Sequence, residues 1–163
     1  MKTVLIVEDE KMIRQGLKTM VMRSGVPVEV IMECNNGQTA LDIIKEQKID
    51  VMFTDIRMPK MDGIELVQKM QSAEHIPLTV AISGYDDFSY AVEMLRNGVR
   101  EYILKPIERE KITEILKKLD AEITSRKEKE ENSQKIGFQQ MRHLMLADEI
   151  SEEEQKTIES QYA

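Results

Sequence analysis

Five short apolar segments, separated by longer amphipathic ones, are the feature of this 163-residue chain that most restricts its fold. The segments are brief and mostly rich in Val and Ile, which is typical of strands buried on both faces of a parallel sheet. The second is less uniformly apolar, so we expect it nearer an edge of the sheet. The predicted strands are residues 3–7, 28–34, 50–54, 78–83 and 101–104.

Between the predicted strands, apolar residues recur every three or four positions, which indicates helices with one buried face. In the fourth of these helices the expected buried residues are Ala91, Val92 and Leu95. Asp62 is placed to cap the third helix, and the Asn-Gly pair at 97–98 predicts the end of the fourth. Parallel strands need helical crossovers, so the order predicts an α/β fold: a doubly wound (βα)5 parallel sheet over residues 1–124.

The remaining residues, 125–163, differ in composition and are expected to form a charged linker and a helical extension. The run at 125–135 is highly charged and lacks apolar periodicity, so it is either a continuation of the fifth helix or a solvated linker. Apolar residues within 136–145 predict a further helix, and Ser-Glu-Glu-Glu at 151–154 resembles a helix capping box.

Charge and composition exclude several classes of protein. The net charge of −7 argues against binding of nucleic acid by this chain itself. No apolar run approaches the roughly 20 residues needed to span a bilayer. The single cysteine, Cys34, excludes an internal disulfide and is expected to be a small buried hydrophobe. These features predict a cytoplasmic protein without a membrane partner.

Polar and charged residues stand at the carboxyl ends of four predicted strands, which is the edge where open parallel sheets place their functional sites. Clustered carboxylates persist where a cation neutralises them, and an all-oxygen ligand set favours Mg²⁺. An ammonium and a hydroxyl on the other side suit an anionic oxygen, which together describes a site for a phosphoryl group. The residues are Glu8, Asp9, Glu10, Asp55, Ser83 and Lys105.

The phosphoryl group is expected to be carried by the protein itself. A glycine-rich nucleotide-binding loop is absent from the sequence, which argues against nucleotide hydrolysis. Asp55 sits alone at the tip of a central strand, and a carboxylate can act as a nucleophile toward phosphorus. Lys105 and Mg²⁺ would offset the charge of the transferring group.

Four sequence motifs together resemble the receiver domain of bacterial two-component response regulators. They are "LIVEDE" (5–10), "FTDIRMPKMDG" (53–63), "AISGY" (81–85) and "YILKP" (102–106), in the order and at the spacing of that family. The resemblance implies a flavodoxin-like sheet with strand order 2-1-3-4-5. It also implies that Asp55 accepts a phosphoryl group from a sensor histidine kinase in a Mg²⁺-dependent reaction.

The resemblance also assigns a role to each matching residue. Lys105 contacts the phosphoryl group, and the next residue, Pro106, follows a cis peptide bond. Ser83 is the switch hydroxyl, and Tyr102 is the aromatic residue that turns inward when the hydroxyl moves. The metal ligands are Glu8, Asp9, Asp55 and the backbone carbonyl of Arg57.

The implied function is a switch rather than an enzyme. Phosphorylation would change the surface formed by the fourth helix, the fifth strand and the fifth helix, favouring a homodimer there or through the C-terminal helix. The stretch "SGYDDFSYAVEML" (83–95) resembles receivers joined to AraC-type helix-turn-helix output domains. Such an output would control transcription through a domain that lies beyond this chain.

Two alternatives belong to other classes. One is a phosphatase or phosphotransferase of similar fold that acts on a small substrate. Such enzymes usually need a second acid two residues after the nucleophile, where this chain has Arg57. The other is an interaction module that does not depend on phosphorylation, which the acidic residues at the strand ends argue against.

Overall fold

A computed structural model of the chain describes residues 1–84 and 88–146, and it describes the side chains of these residues except 88 and 129–146. Strands and helices alternate along the described residues. The strands are β1 (Thr3–Val7), β2 (Val30–Cys34), β3 (Val51–Asp55), β4 (Leu78–Ser83) and β5 (Glu101–Leu104). The helices are α1 (Lys11–Met22), α2 (Gly37–Glu46), α3 (Gly63–Met70), α4 (Phe88–Arg96) and α5 (Arg109–Leu146).

All five strands pair in parallel in the order β2-β1-β3-β4-β5, which confirms the predicted doubly wound sheet. The second strand lies at an edge, as its mixed composition predicts. It begins two residues later than predicted because the backbone amides of Glu29 and Val30 both donate to the carbonyl of Lys2. The regular pairing with β1 therefore starts at Val30, opposite Thr3.

The register of the strands brings their carboxyl ends to one level. Val7 pairs with Thr54, so the residue after β1 reaches the level of Asp55. Asp55 in turn pairs with Ile82, and Ser83 pairs with Leu104. The loops after β1, β3, β4 and β5 consequently emerge side by side at the same edge of the sheet.

The core has two faces because neighbouring residues of a strand point to opposite sides of the sheet. On one face, Leu5 and Val7 of β1 belong to a buried cluster with residues of α2, α3 and α4. Val4 and Ile6, also fully buried, point to the opposite face. The buried residues of α1 and α5 lie outside that cluster, as a sheet covered on both faces requires; they are Leu17, Val21, Ile112, Leu116 and Leu119.

Helix α4 buries a different residue from the one that its sequence pattern predicts. Ala91 is buried as expected, but Leu95 is half exposed and Met94 is fully buried. A step of three residues along a helix keeps the two side chains on one face, and here the core accepts Met94 rather than its neighbour. The predicted end of the helix is confirmed, since Gly98 has a φ of 91° and Val99 donates its amide to the carbonyl of Met94.

Helix α5 continues through the charged run at 125–135. This run is therefore a continuation of the fifth helix rather than a solvated linker. The separate helix predicted within 136–145 is instead part of α5. Residues Met1–Ala121 form one compact unit, and Glu122 begins a second. The predicted capping box at 151–154 lies outside the described residues. Within those described, no helix has the length and apolar character that crossing a bilayer requires.

Candidate functional site

Asp55 is the last residue of β3, and both of its carboxylate oxygens have hydrogen-bond donors. Oδ1 accepts from the backbone amide of Ile56 at 2.8 Å, and Oδ2 accepts from Nζ of Lys105 at 3.1 Å. The residue is only 5% exposed. A carboxylate at this position is therefore held in a fixed orientation with one oxygen directed at a cation.

Glu8, directly after β1, is the most buried acid of the site. Its Oε1 accepts from the backbone amide of Glu10 at 3.3 Å. Its Oε2 is buried without a hydrogen-bond partner among the described residues, and the nearest cation, Nζ of Lys105, is 3.7 Å away. A buried carboxylate oxygen without a donor is costly, so this atom is the strongest sign that the site takes a positively charged ligand.

The electrostatics of these groups are strongly perturbed. Burial raises the pKa of Glu8 to about 8, and the negative charge of Asp55 adds to the rise. Burial lowers the pKa of Lys105, but its hydrogen bond to Asp55 and the nearby carboxylates outweigh that effect and raise the pKa above its usual value. The pocket therefore disfavours a second negative charge while it keeps the ammonium charged.

The three acids predicted as metal ligands do come together. One oxygen from each of Glu8, Asp9 and Asp55 lies within 4.8 Å of the others, and Asp9 is exposed to solvent. Oxygen ligands at this separation, one of them without a donor, fit Mg²⁺, which binds a few carboxylates and retains several waters.

Ser83 and Tyr102, the predicted switch residues, are joined by a hydrogen bond. Ser83 is fully buried at the end of β4, and its Oγ lies 2.5 Å from the phenolic oxygen of Tyr102. Either hydroxyl can be the donor in this bond, and the Ser83 hydroxyl can alternatively donate to the carbonyl of Gly84 at 3.2 Å. Tyr102 is half-buried and already packs against the core cluster.

Arg57, two residues after Asp55, has an exposed side chain directed toward α4. Its guanidinium carbon lies 5.5 Å from the centre of the Tyr90 ring, a distance at which a cation and an aromatic face attract. This contact ties the loop after β3 to α4. The metal-binding role of the Arg57 backbone carbonyl stays a prediction. At the end of β5, the peptide bond between Lys105 and Pro106 is cis, as expected from the resemblance.

Gly63 has a role that sequence reasoning missed. Its amide donates to the carbonyl of Ile56 at 2.7 Å, which closes the loop after β3. A Cβ at Gly63 would lie 2.4 Å from the carbonyl oxygen of Asp55, so only glycine fits. Asp62, just before it, caps α3 as predicted by accepting from the amide of Glu65 at 2.8 Å. In the sequence, the only sign of this close approach is the glycine that directly follows the predicted cap.

Arg14 was also missed by sequence reasoning. It lies in α1, and its Nη1 donates to the backbone carbonyl of Glu8 at 2.8 Å. Its Nε is 3.6 Å from a carboxylate oxygen of Glu33, on β2. An arginine one turn after an acidic loop is a weak signal, because the sequence does not say that its side chain folds back onto the loop.

Comparison with known proteins identifies the family. The family model for the response regulator receiver domain matches residues 4–117, most of the chain. The chain therefore belongs to the response regulator receiver family of two-component systems. The fold, with its strand order, is the one shared by the solved receiver domains.

Relatives of the chain are named as regulators of transcription. Over 119 residues it is 34% identical to the transcriptional regulatory protein BtsR of Salmonella typhimurium, covering 73% of this chain and 48% of that protein. Over 123 residues it is 30% identical to the uncharacterized transcriptional regulatory protein YesN of Bacillus subtilis, covering 76% and 33%. The chain thus spans half or less of the length of these curated relatives.

A solved structure with a similar fold is that of a two component transcriptional regulator AraC from Clostridium phytofermentans ISDg. The two are 31% identical with a TM-score of 0.68, and the match covers 78% of this chain and 98% of that one. The match therefore extends over nearly all of that solved chain.

Proposed function

We propose that this chain is the phosphoacceptor domain of a response regulator, and that Asp55 receives a phosphoryl group from a sensor histidine kinase. The observation that carries the proposal is the placement of Asp55, whose Oδ2 lies 3.1 Å from the Lys105 ammonium and which has a carboxylate oxygen within 4.8 Å of oxygens of Glu8 and Asp9. A nucleophilic carboxylate beside a fixed cation is what phosphoryl transfer requires of a protein.

In the transfer, an oxygen of Asp55 forms a bond to phosphorus while the phosphorus–nitrogen bond of the donor phosphohistidine breaks. The electron pair of that bond remains on the imidazole nitrogen, so the product is an acyl phosphate. The amide of Ile56 holds the carboxylate in orientation at 2.8 Å. The Lys105 ammonium neutralises charge on the phosphoryl oxygens as the new bond forms.

Glu8, Asp9, Asp55 and the backbone carbonyl of Arg57 would hold the Mg²⁺ ion. When bound, the ion supplies positive charge that stabilises the transferring phosphoryl group. Glu8 contributes a buried oxygen that has no donor within the described part of the chain, and Asp9 contributes an exposed one. The ion would give Oε2 of Glu8 a direct partner, whereas the Lys105 ammonium is 3.7 Å away.

The conformational switch uses the hydrogen bond between Ser83 and Tyr102. A phosphoryl group on Asp55 offers the Ser83 hydroxyl a charged acceptor, which is stronger than the neutral carbonyl of Gly84. Moving Ser83 toward it disturbs the 2.5 Å bond to Tyr102 and so changes the position of that ring. The phosphoryl group biases two existing states rather than creating a new one.

The surface that responds is formed by α4, β5 and α5, and we propose that it mediates a homodimer. Leu95 of α4 is 50% exposed and Leu104 of β5 is 44% exposed. Exposed leucines near the switch give a second copy of the chain apolar area to cover. The C-terminal part of α5 is the other candidate for dimer contact.

The proposed domain organisation is a receiver over residues 1–124 and a helical extension over 125–163 that leads to an output region. The names of the relatives support transcription as the output. The AraC-named neighbour supports an AraC-type DNA-binding domain. In this scheme the chain acts in the cytoplasm as a switch rather than an enzyme, and nucleic acid is bound by the output region.

Incubation with acetyl phosphate and Mg²⁺, followed by intact mass measurement, tests the proposal. We expect the mass of one phosphoryl group to be added to the native chain and none to be added to Asp55→Asn. Equal addition to the variant, or no addition to the native chain, would reject it. Steady turnover of a generic phosphate ester would instead favour the small-substrate phosphatase, against which Arg57 already argues.

A further inference from the structure

The loop that carries Glu8 and Asp9 is fastened through its backbone on two sides. The amide of Glu8 donates to the carbonyl of Cys34 at 3.1 Å, which anchors it to the end of β2. The carbonyl of Glu8 accepts from Nη1 of Arg14 at 2.8 Å. The guanidinium is oriented in turn by Glu33, whose carboxylate lies 3.6 Å from Nε.

This arrangement opposes a force that acts on the loop. Binding of Mg²⁺ requires Glu8, Asp9 and Asp55 to be ionised together, and negative charges this close to one another repel. Without a restraint the loop would relax away from Asp55 and separate the ligand oxygens. Arg14 supplies a charged donor to the backbone carbonyl of that loop. Its side chain is 17% exposed, so the hydrogen bond is partly shielded from solvent.

Arg14 has two effects on a bound cation, and they have opposite signs. Its positive charge repels Mg²⁺, whereas its hydrogen bond keeps the ligands together. Glu33 neutralises much of the charge, and Lys18, 3.1 Å from the other Glu33 oxygen, belongs to the same ion cluster. Because the cluster also holds a negative charge, the repulsion is reduced, and the hydrogen bond should dominate.

We infer that Arg14 is a positioning residue that sets the Mg²⁺ affinity of the site by holding the backbone of Glu8. The inference rests on the proposed function for the identity of the ion. Arg14 lies on α1, and Glu33, which orients it, lies on the edge strand β2. Both elements would therefore influence the Mg²⁺ affinity although neither supplies a ligand.

The test is calorimetric titration of Mg²⁺ into three variants and the native chain. Arg14→Met removes the hydrogen bond and the charge, and we expect its Mg²⁺ dissociation constant to rise roughly tenfold, the low end for partners outside the ligand shell. Arg14→Lys keeps the charge and part of the reach, so an intermediate loss is expected. Lys18→Met removes the other cation on Glu33 without touching the Glu8 carbonyl and should bind Mg²⁺ as the native chain does.

The outcomes separate positioning from charge. If charge dominated, Arg14→Met and Lys18→Met would both bind Mg²⁺ more tightly than the native chain. Unchanged affinity in Arg14→Met, or an equal loss in Lys18→Met, would also overturn the inference. Circular dichroism establishes whether each variant is folded. If Arg14→Met does not fold, the Mg²⁺ affinity of Arg14→Lys tests the inference instead.

The labelling reaction distinguishes this inference from the proposed function. In Arg14→Met the Mg²⁺ concentration for half-maximal labelling by acetyl phosphate should rise by the same factor, with the rate at saturating Mg²⁺ within about twofold of native. A native chain that binds Mg²⁺ but is never labelled would contradict the proposed function and leave the calorimetric result standing. Normal labelling with no shift in Arg14→Met would contradict the inference alone.

Discussion

The ammonium nitrogen of Lys105 lies 3.1 Å from Oδ2 of Asp55, although 50 residues separate them along the chain. The same nitrogen is 3.7 Å from Oε2 of Glu8. One cation therefore lies beside two buried carboxyl groups. Both the stability of the domain and its proposed chemistry depend on this relationship.

Removing the ammonium should destabilise the metal-free domain. Lys105→Gln leaves Asp55 and Glu8 without their shared cation, and we expect the free energy of unfolding to fall by about 1–3 kcal/mol. Labelling by acetyl phosphate should also slow markedly, since no ammonium stabilises the transferring group. Urea denaturation and intact mass measure the two effects.

Lys118→Gln is the matched control for that substitution. Lys118 also pairs with a carboxylate, that of Glu101 at 2.6 Å, but its side chain is 70% exposed. Exposed ion pairs contribute little, so a loss below about 1 kcal/mol and normal labelling are expected. Similar losses in the two variants would show that the environment of Lys105 is not special.

Neutralising Glu8 should stabilise the metal-free domain and abolish most of its response to Mg²⁺. Burial raises the pKa of Glu8 from 4.5 to about 8, so between these pH values the folded state holds a proton that the unfolded state has lost. The free energy of unfolding of the native chain therefore falls as the pH rises through that range. Glu8→Gln has no such titrating group, so its free energy of unfolding should exceed that of the native chain by an amount that grows toward pH 8. There we expect a difference of about 1–2 kcal/mol.

Thermal unfolding with and without Mg²⁺, at several pH values, measures both effects. The control is Glu65→Gln, because the side chain of Glu65 is 45% exposed and pairs with Lys69 on the surface of α3. Its stability should change by less than about 0.5 kcal/mol, with the native Mg²⁺ response retained. A Glu8→Gln variant that responds to Mg²⁺ as strongly as the native chain would remove Glu8 from the ligand set.

Adding one methyl group at Gly63 should displace the loop that orients Asp55. The new Cβ would lie 2.4 Å from the Asp55 carbonyl oxygen and 3.0 Å from Cα of Ile56, so backbone must move. We expect Gly63→Ala to lower the free energy of unfolding by about 1–3 kcal/mol. It should also slow labelling of Asp55 by acetyl phosphate.

Gly16→Ala is the matched control: it adds the same methyl group, but we expect it to raise the free energy of unfolding rather than lower it. Gly16 lies within α1, and nothing is within 4 Å of its hypothetical Cβ. Alanine favours the helix over glycine by about 0.5–1 kcal/mol, so this variant should be more stable than the native chain. Urea denaturation of both variants is the measurement, and a stable, normally labelled Gly63→Ala would refute the close approach.

The Ser83–Tyr102 hydrogen bond should appear as a coupling energy. Ser83→Ala and Tyr102→Phe each remove one partner, and their double-mutant cycle should give about 0.5–1.5 kcal/mol. Tyr90→Phe supplies the control, because Tyr90 is 40% exposed and its effect should add to that of Ser83→Ala. Additive behaviour of the first pair would mean that the two hydroxyls do not interact in solution.

Cys34 should be unreactive in the folded protein at neutral pH. Burial raises the pKa of its thiol to about 11, although Arg14 and the backbone of Asn36 act against the rise. Only the thiolate reacts with iodoacetamide, so at pH 7 alkylation should be about 100-fold slower than in guanidinium, where the pKa is ordinary. Mass measured over time tests this, and equal rates would show that Cys34 is accessible in the native state.

Much of the fold was predictable because strand and helix patterns are local. Alternating apolar runs and amphipathic segments predicted the sheet, and a parallel sheet aligns the ends of its strands. The convergence of Asp55 with Lys105 follows from that alignment and is confirmed by the 3.1 Å distance. The end of α4, marked by Gly98 just beyond it, and the cap of α3 at Asp62 could equally be predicted, because each depends on one or two residues.

Other features could not be predicted because they depend on how elements pack. The burial of Met94 in place of Leu95 depends on how α4 is rotated against the sheet. The continuity of α5 through a highly charged run was left open, because residues without apolar periodicity are compatible with a helix or a linker. Arg14 was overlooked since its partner is a backbone carbonyl, which no sequence pattern marks.

By itself, the sequence determined which acids, hydroxyl and lysine stand at the strand ends, and the alternation of strands with helices predicted the edge of the sheet at which they meet, since periodicity depends on neighbouring residues. Tertiary structure decided how closely they meet. It left Oε2 of Glu8 without a donor, placed the Tyr102 hydroxyl on Ser83, and admitted only glycine at position 63. Burial and distances of a few ångströms arise from the packing of segments that are remote along the chain, so they cannot be inferred from local pattern.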